Sequence, residues 1–361
     1  MTSKNLLKPL SLAYGGVLAL RNFLYDHQYV TTTIPTQRCI SVGNLAVGGT
    51  GKTPAVEYLL RYLLTLDKQL TGEVATLSRG YGRQTRGFRI ATAADTAATI
   101  GDEPLQLFSN FSPAVCITVG ERRADALRQL AIEKPAIQTV VLDDAFQHRA
   151  VQPQLNLLLT DYNRPFYTDD PFPGGRLRER REGARRADAV IVTKCPAAPS
   201  TVERATIEQQ IRRYTHGGTG NSPIPILFAG LAYDQPRRFA DLSPALINGP
   251  VQLVSGLANS DSLARYVGDT WGVANHADFG DHHAYTRADV EQLLTNMPPH
   301  DWLLTTQKDE VKLSALLTDA ERQTRQLAYL PVQMRFFEQE DANTLARLVG
   351  DCLRGPALKN R

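Results

Sequence analysis

This chain of 361 residues has no long hydrophobic run. Its apolar stretch Asn5–Tyr29 is interrupted by Lys8, Arg21 and Asp26, and the longest uncharged piece within it, Pro9–Leu20, has twelve residues. That is too short to cross a bilayer and suits a helix that is buried or lies in an interface. Lys4 and Lys8 precede the stretch as in a secretory signal, but no convincing small-x-small cleavage pattern follows. Cysteine is scarce: four residues, Cys39, Cys116, Cys195 and Cys352, are scattered without a C-x-x-C pair. This argues against a disulfide framework or a zinc site and fits reduced thiols in a cytosolic setting. Charge of one sign is also in short supply. A formal net charge of +3 is too weak to argue nucleic-acid binding on its own. There is no internal repeat and no low-complexity tract.

What is present is a sizeable apolar fraction, 42%, arranged in a rhythm. Val74–Ser78, Val115–Val119, Thr139–Leu142, Leu155–Thr160 and Ala189–Thr193 read as buried strands. Ala55–Leu66, Pro104–Phe108 and Arg122–Ile132 read as helices between them. The alternation predicts an α/β/α sandwich on a mostly parallel sheet. The length predicts a second domain. Residues 215–225 are rich in Gly, Thr, Ser, Asn and Pro and mark a boundary. Beyond it, Ile226–Ala229, Val251–Ser255, Val273–Phe279 and Trp302–Thr306 read as strands of a smaller α/β unit, and Ala342–Cys352 as a closing helix. The expected division is therefore an amino-terminal helix at 1–30, a core domain at 31–222 and a smaller domain at 223–361. In the first of these, Leu7, Leu10, Tyr14, Val17, Leu18, Arg21 and Leu24 fall near one helical stripe. Such a helix lies in a membrane interface or packs on its own domain, and both readings stay open.

The most informative stretch is Cys39–Pro54. A short apolar strand runs into a glycine-rich turn, then Gly51-Lys52-Thr53, then a helix with Val56, Leu59, Leu60 and Leu63 on one face. Glycines let backbone N–H groups curl around phosphate oxygens, and the helix N-terminus adds positive potential. Lys52 would reach β- and γ-phosphates, and Thr53 would hold Mg²⁺. The strict G-x-x-x-x-G-K-[ST] pattern wants glycine where this chain has Ala46, so the loop is a variant.

Other segments carry groups suited to the same chemistry. Thr139–His148 is an apolar strand ending in Asp143 and Asp144, the place where an acidic residue helps hold Mg²⁺ in phosphate-loop enzymes. Asp102 and Glu103 open a helix, as caps or as a general base. Asp281-His282-His283 is a second acid–base candidate, less attractive as a metal site because no third ligand stands at useful spacing. Ser78-Arg79-Gly80-Tyr81 offers a cation and a phenol to an anionic sugar. Residues 176–186 hold six Arg and two Glu, a local excess that attracts phosphates or anionic lipid heads. The same patch has no interleaved aromatics, which disfavours RNA.

Together these segments resemble the tetraacyldisaccharide 4'-kinase family. The resemblance is carried by Ser41–Pro54, Leu77–Tyr81, Gly101–Pro104, Asp143–His148, Gly175–Glu179, Phe279–His283 and Thr305–Asp309, in the family's order and across most of the chain. Two positions depart from it: Ala145 stands where the family usually has Gly, and Arg180 where Pro usually follows Leu-Arg-Glu. A glycine-type backbone at position 145 would be strained.

The resemblance implies a two-domain enzyme that transfers the γ-phosphoryl group of ATP to the 4'-hydroxyl of tetraacyldisaccharide 1-phosphate. It implies peripheral attachment at the cytoplasmic face of the inner membrane, with no nucleic-acid partner; no obligate protein partner is evident. By the family match Asp102 is the general base and His282 its partner, with Lys52 stabilising the transferred group. Gly48, Gly49, Thr50, Gly51, Lys52 and Thr53 bind ATP. Thr53, Asp143 and Asp144 hold Mg²⁺, with Gln147 and Glu103 nearby. Asn44, Arg79, Tyr81, Arg122 and Arg178 face the glycolipid head group or its phosphate. A regulatory phosphate-loop switch often has Lys where this chain has Val47, and Thr305–Asp309 lacks the Asn-Lys-x-Asp spacing of guanine readers. A non-enzymatic membrane or RNA binder built on 176–186 would leave the assembled nucleotide loop unexplained.

Overall fold

Cys39–Val42 does form a buried strand, and it becomes the middle of the larger of two sheets. The computed structural model describes residues 3–215, 223–281, 283–298 and 300–355. In chain order the strands are β1 (Arg38–Asn44), β2 (Glu73–Ser78), β3 (Arg89–Ile90), β4 (Val115–Val119), β5 (Ile137–Asp143), β6 (Leu155–Asp161) and β7 (Ala189–Thr193). They continue with β8 (Ile226–Tyr233), β9 (Arg237–Arg238), β10 (Val251–Gly256), β11 (Val273–Phe279), β12 (Trp302–Thr306), β13 (Leu327–Leu330) and β14 (Val332–Phe336). The larger sheet has the order β14-β8-β7-β6-β1-β5-β2-β4-β3, and the smaller β11-β10-β12-β13-β9. Pairing is parallel throughout except at three edges, β14 with β8, β3 with β4, and β9 with β13.

The helices are α1 (Ser3–Asp26), α2 (Lys52–Thr65), α3 (Lys68–Thr71), α4 (Ala97–Ile100), α5 (Asp102–Phe111), α6 (Arg123–Glu133) and α7 (Thr201–Thr215). In the later part of the chain they are α8 (Asp261–Thr270), α9 (Arg287–Asn296), α10 (Gln307–Leu313), α11 (Asp319–Thr324) and α12 (Gln339–Arg354). Strand alternation sends side chains to both faces of the larger sheet. Ile40 and Val42 pack with Leu59 and Leu63 of α2, Leu107 of α5 and Val349 of α12. Cys39 points the other way, into a cluster with Leu127 and Leu130 of α6. Leu59 and Leu63 are each about 1% exposed, so truncating either to Ala would cost roughly 2–5 kcal/mol.

The expected boundary at 222/223 does not coincide with the division between sheets. β8, β14 and α12 lie beyond it, yet they complete the larger sheet and its helical cover. The smaller sheet takes its strands from 237–330. The chain passes between the sheets twice, at adjacent places: Tyr233 pairs with Val332, and Asp234 N–H donates to Pro331 O at 3.0 Å.

The amino-terminal segment is helical over Ser3–Asp26, and no helix among the described residues is long and apolar enough to cross a membrane. The side chains of Leu7 and Leu10 lie outside the described residues. Ser11 and Gly15 are buried against residues 171–180, where Gly174 N–H donates to Ser11 Oγ at 2.8 Å. A Cβ on Gly15 would meet Arg180 Nε at 3.4 Å, so glycine lets the helix approach this segment closely. The helix exposes Val17, Leu20 and Phe23, and Tyr14 at the edge of its contact with this segment.

Candidate active site

The glycine turn after β1 has the backbone its composition predicts. Gly48 has φ 112° and Gly51 φ 76°, left-handed conformations that a side chain disfavours. A Cβ on Gly48 or Gly49 would meet nothing within 4 Å, so the space over the turn is open. Gly51 caps α2, Lys52 is its first residue, and Pro54 sits in the first turn, where a missing N–H costs nothing. The turn is held from below. Asn44 Nδ2 donates to Thr50 Oγ1 at 2.7 Å, and Thr193 Oγ1 donates to Thr50 O at 2.8 Å.

At the end of β5, Asp143 is buried and accepts from Ser78 Oγ at 3.1 Å. Burial first, then the charges of Glu103 and Asp144, push its carboxyl up to about 7. Asp144 has φ 47° and turns toward cations. Lys52 Nζ stands 3.8 Å away, and Arg178 Nη1 donates to both its oxygens at 2.9 and 2.7 Å. Burial alone would raise Asp144, but Lys52 and Arg178 hold it below the usual carboxylate range. The positive φ in this turn falls on Asp144, so Ala145 carries no such strain. Ala145 packs in the α6-facing core with no left-handed backbone. The Arg180 departure is equally mild: its φ of −65° is a value proline itself adopts.

Gln147 Nε2 donates to Asn44 O at 2.8 Å and to Glu179 Oε1 at 3.0 Å. Its Oε1, like Asn44 Oδ1, is a buried acceptor without a hydrogen bond. Asp102 opens α5, and Lys312 of α10 reaches its Oδ2 at 2.9 Å. Arg79 and Tyr81, beyond β2, are exposed. His282, the expected partner of Asp102, lies outside the described residues.

The two arginines at the start of α6 differ in burial. Arg122 is exposed and paired with Asp125 at 2.8 Å. Arg123 is the buried one: it donates to Gly120 O and, at 3.0 Å, to Asp143 O, and burial lowers its guanidinium to about 10. Two further groups escaped the sequence reading. Lys194, with φ 58°, pairs with Asp161 at 3.1 Å and donates to Gly49 O, bracing the glycine turn from β7. His148 is held neutral, its pKa lowered to about 4 by burial and then by Arg123 and Arg79. Lys194 left one signal, a cation directly after a buried strand; nothing local marks which of Arg122 and Arg123 turns inward.

Among the described residues no three acidic, thiol or imidazole groups converge to hold a metal ion by themselves. Mg²⁺ is commonly bound by one or two carboxylates together with phosphate and water oxygens. Asp143, crowded by Glu103 and Asp144, and the orphaned oxygens of Asn44 and Gln147 are oxygen donors of the kind that fit such a cation.

A mixed α/β fold on a mostly parallel sheet, whose central strand opens through glycine into a lysine-started helix, is the class this chain falls in. Sequence relatives narrow that class. The family described as Tetraacyldisaccharide-1-P 4'-kinase matches residues 3–349, and the chain belongs to it. The Tetraacyldisaccharide 4'-kinase of Cytophaga hutchinsonii is 38% identical over 358 residues, covering 97% of each chain. That of Bacteroides thetaiotaomicron is 35% identical over 95% of this chain and 92% of its own. The crystal structure of "apo" form LpxK from Aquifex aeolicus in complex with ATP superposes with a TM-score of 0.73 at 26% identity, covering 98% of this chain and all of that one.

Proposed function

We propose that this protein transfers the γ-phosphoryl group of ATP to the 4'-hydroxyl of tetraacyldisaccharide 1-phosphate, the step that gives lipid IVA in lipid A biosynthesis. The observation that carries the reading is the continuous ion chain Lys52–Asp144–Arg178, which joins the glycine turn to the arginine-rich segment. One end is suited to a nucleotide, the other to an anionic sugar. Backbone N–H groups of Gly48–Thr53 and the N-terminus of α2 bind the ATP phosphates. Lys52 stabilises charge on the group in transfer. Thr53, Asp143 and Asp144, with Glu103 and Gln147 beside them, would hold Mg²⁺, which when bound neutralises phosphate charge.

Asp102 accepts the proton of the 4'-hydroxyl as its oxygen bonds to phosphorus and the bond to the β-phosphate oxygen breaks, releasing ADP. His282 is the proposed partner of that carboxylate. Asn44, Arg79, Tyr81 and Arg178 orient the head group. The exposed stripe Tyr14, Val17 and Leu20, continued by Phe172 whose ring meets Tyr14 edge-on at 5.9 Å, is the face we assign to the membrane surface, on the cytoplasmic side of the inner membrane. Residues 37–215 with 226–233 and 332–354 act as the nucleotide-binding unit, and 237–330 as the second unit closing over it. The test is phosphoryl transfer with ATP, Mg²⁺ and the disaccharide 1-phosphate in detergent micelles, with the product's position read by NMR. A 4'-phosphate is expected. Hydrolysis of ATP with no phosphorylated lipid would overturn the reading.

A further inference from the structure

Helix α10 is short, but it is tied to everything around it. Its N-cap Thr306 follows β12 without a loop and accepts from Asp309 N at 3.1 Å. Asp309 itself is fully buried, and its Oδ2 accepts from Gly256 N at 2.8 Å and Thr306 Oγ1 at 2.7 Å. The start of α10 is thereby fixed to the end of β10 in the smaller sheet.

From that base the helix runs antiparallel along α5 of the larger unit. Gln307 Nε2 donates to Asn110 Oδ1 at 2.6 Å near the end of α5, and Lys312 Nζ meets Asp102 Oδ2 at 2.9 Å at its beginning. Asn110 in turn donates to Glu57 of α2 at 2.9 Å, so the contact reaches the helix that starts with Lys52.

Two lysines, one turn apart, share a face of α10. Lys308 Nζ reaches Asp281 Oδ1 at 2.7 Å, and Lys312 Nζ donates to His283 O at 3.2 Å. The two ammonium groups therefore grip both sides of the turn that carries the Asp-His-His motif. Lys312 is the more buried, its side chain only 8% exposed. An ammonium so enclosed is tolerated only with acceptors around it, which fixes where it points.

We propose that Lys312 is a positioning residue for phosphoryl transfer: by bridging Asp102 to the 281–283 turn it sets the carboxylate of one unit against the acid–base turn of the other. This rests on the kinase reading above, with Asp102 as the base. Lys308 is the auxiliary grip on the same turn, and Gln307–Asn110 sets the register of α10 on α5.

The experiment uses the full chain with Lys312→Met, Lys312→Arg and Asp102→Asn, alone and with Lys312→Met. ATP, Mg²⁺ and the micellar disaccharide 1-phosphate are the substrates, and thermal melting and ATP affinity are measured alongside. Lys312→Met is expected to lower kcat roughly 10- to 100-fold, the scale of a small misplacement of a reacting group. ATP affinity should stay within about threefold. Lys312→Arg, which keeps a charged donor, should recover most of the rate, and Lys312→Met should add little to the loss from Asp102→Asn. Near-normal kcat in a folded Lys312→Met protein would overturn the proposal. So would an arginine variant as slow as the methionine one, or fully multiplicative losses in the double variant. If Lys312→Met does not fold, the arginine comparison and the melting data carry the decision. Absence of lipid phosphorylation by the unaltered protein would instead remove the kinase reading.

Discussion

Asp143 and Asp309 are both buried carboxylates close to the ends of parallel strands, and they are treated in opposite ways. Asp309 is enclosed by donors of its own unit, a backbone N–H and a hydroxyl on one oxygen. Asp143 has one hydroxyl donor and two neighbouring carboxylates, and burial with those charges raises its pKa. The first has two donors on Oδ2, although its Oδ1 is a buried acceptor without a hydrogen bond. The second leaves electrostatic repulsion that a cation would relieve. Asp144 and Lys194, both left-handed without being glycine, flank the glycine turn, while Leu242 of the smaller unit shares that backbone away from it. The difference teaches where each unit's contribution lies. The larger one supplies a charged, open strand end, and the smaller one a rigid platform whose α10 reaches across.

The largest expected effect concerns the open end. Lys52→Ala should lower kcat by about two to four orders of magnitude, the loss expected when a charge aimed at the transition state is removed. Near-normal turnover would move the transfer site elsewhere.

The comparison itself breaks or holds on two matched variants. Asp309→Ala leaves Gly256 N–H and Thr306 Oγ1 without their acceptor, so chemical denaturation should register a loss of roughly 2–4 kcal/mol. Asp143→Asn removes like-charge repulsion, so the metal-free protein should be as stable as the parent or more so, while Mg²⁺-dependent turnover collapses. Equal destabilisation by both would erase the distinction drawn between the two acids.

His148 sharpens it further. Its folded pKa, about 4, lies below its ordinary 6.5, so the unfolded chain binds the extra proton first. Stability is full above pH 6.5 and is lost as pH falls toward 4, by up to roughly 3 kcal/mol. Melting of the parent and of His148→Gln across pH 4–7 measures this, and the variant should show the shallower acid slope. Parallel slopes would place the acid sensitivity at other groups.

The smallest effect is at the amino-terminal helix. Leu20→Glu on its exposed stripe should weaken sedimentation with anionic vesicles several-fold at constant melting temperature. Unchanged binding at every salt concentration would leave the charge of 176–186 as the only membrane-directed feature.

Most strands and the glycine turn were legible in the sequence because their signals are local, apolar runs and glycine spacing beside Lys52; β3, β9, β13 and β14 were not read. Helix α2 was read from Ala55 and begins at Lys52, since the capping glycine is visible only as a backbone conformation. The membership of β8 and β14 was not legible, because which sheet a strand joins depends on pairing across a hundred residues. Nor was the inward turn of Arg123 over Arg122, which depends on how α6 is rotated against the sheet. Lys312 was invisible for the same reason, its meaning arising only where α10 meets α5.

The two adjacent passages between the sheets make the smaller unit an insertion. Cut the chain after Tyr233 and resume it at Val332, and the two ends already face each other as neighbours on one antiparallel ladder. The larger sheet therefore reads as continuous without it, an uninterrupted hairpin from β8 to β14. The inserted unit has no such independence in the chain, because both of its ends are anchored in that hairpin. The smaller unit is thus joined to the larger sheet through a single doorway two strands wide.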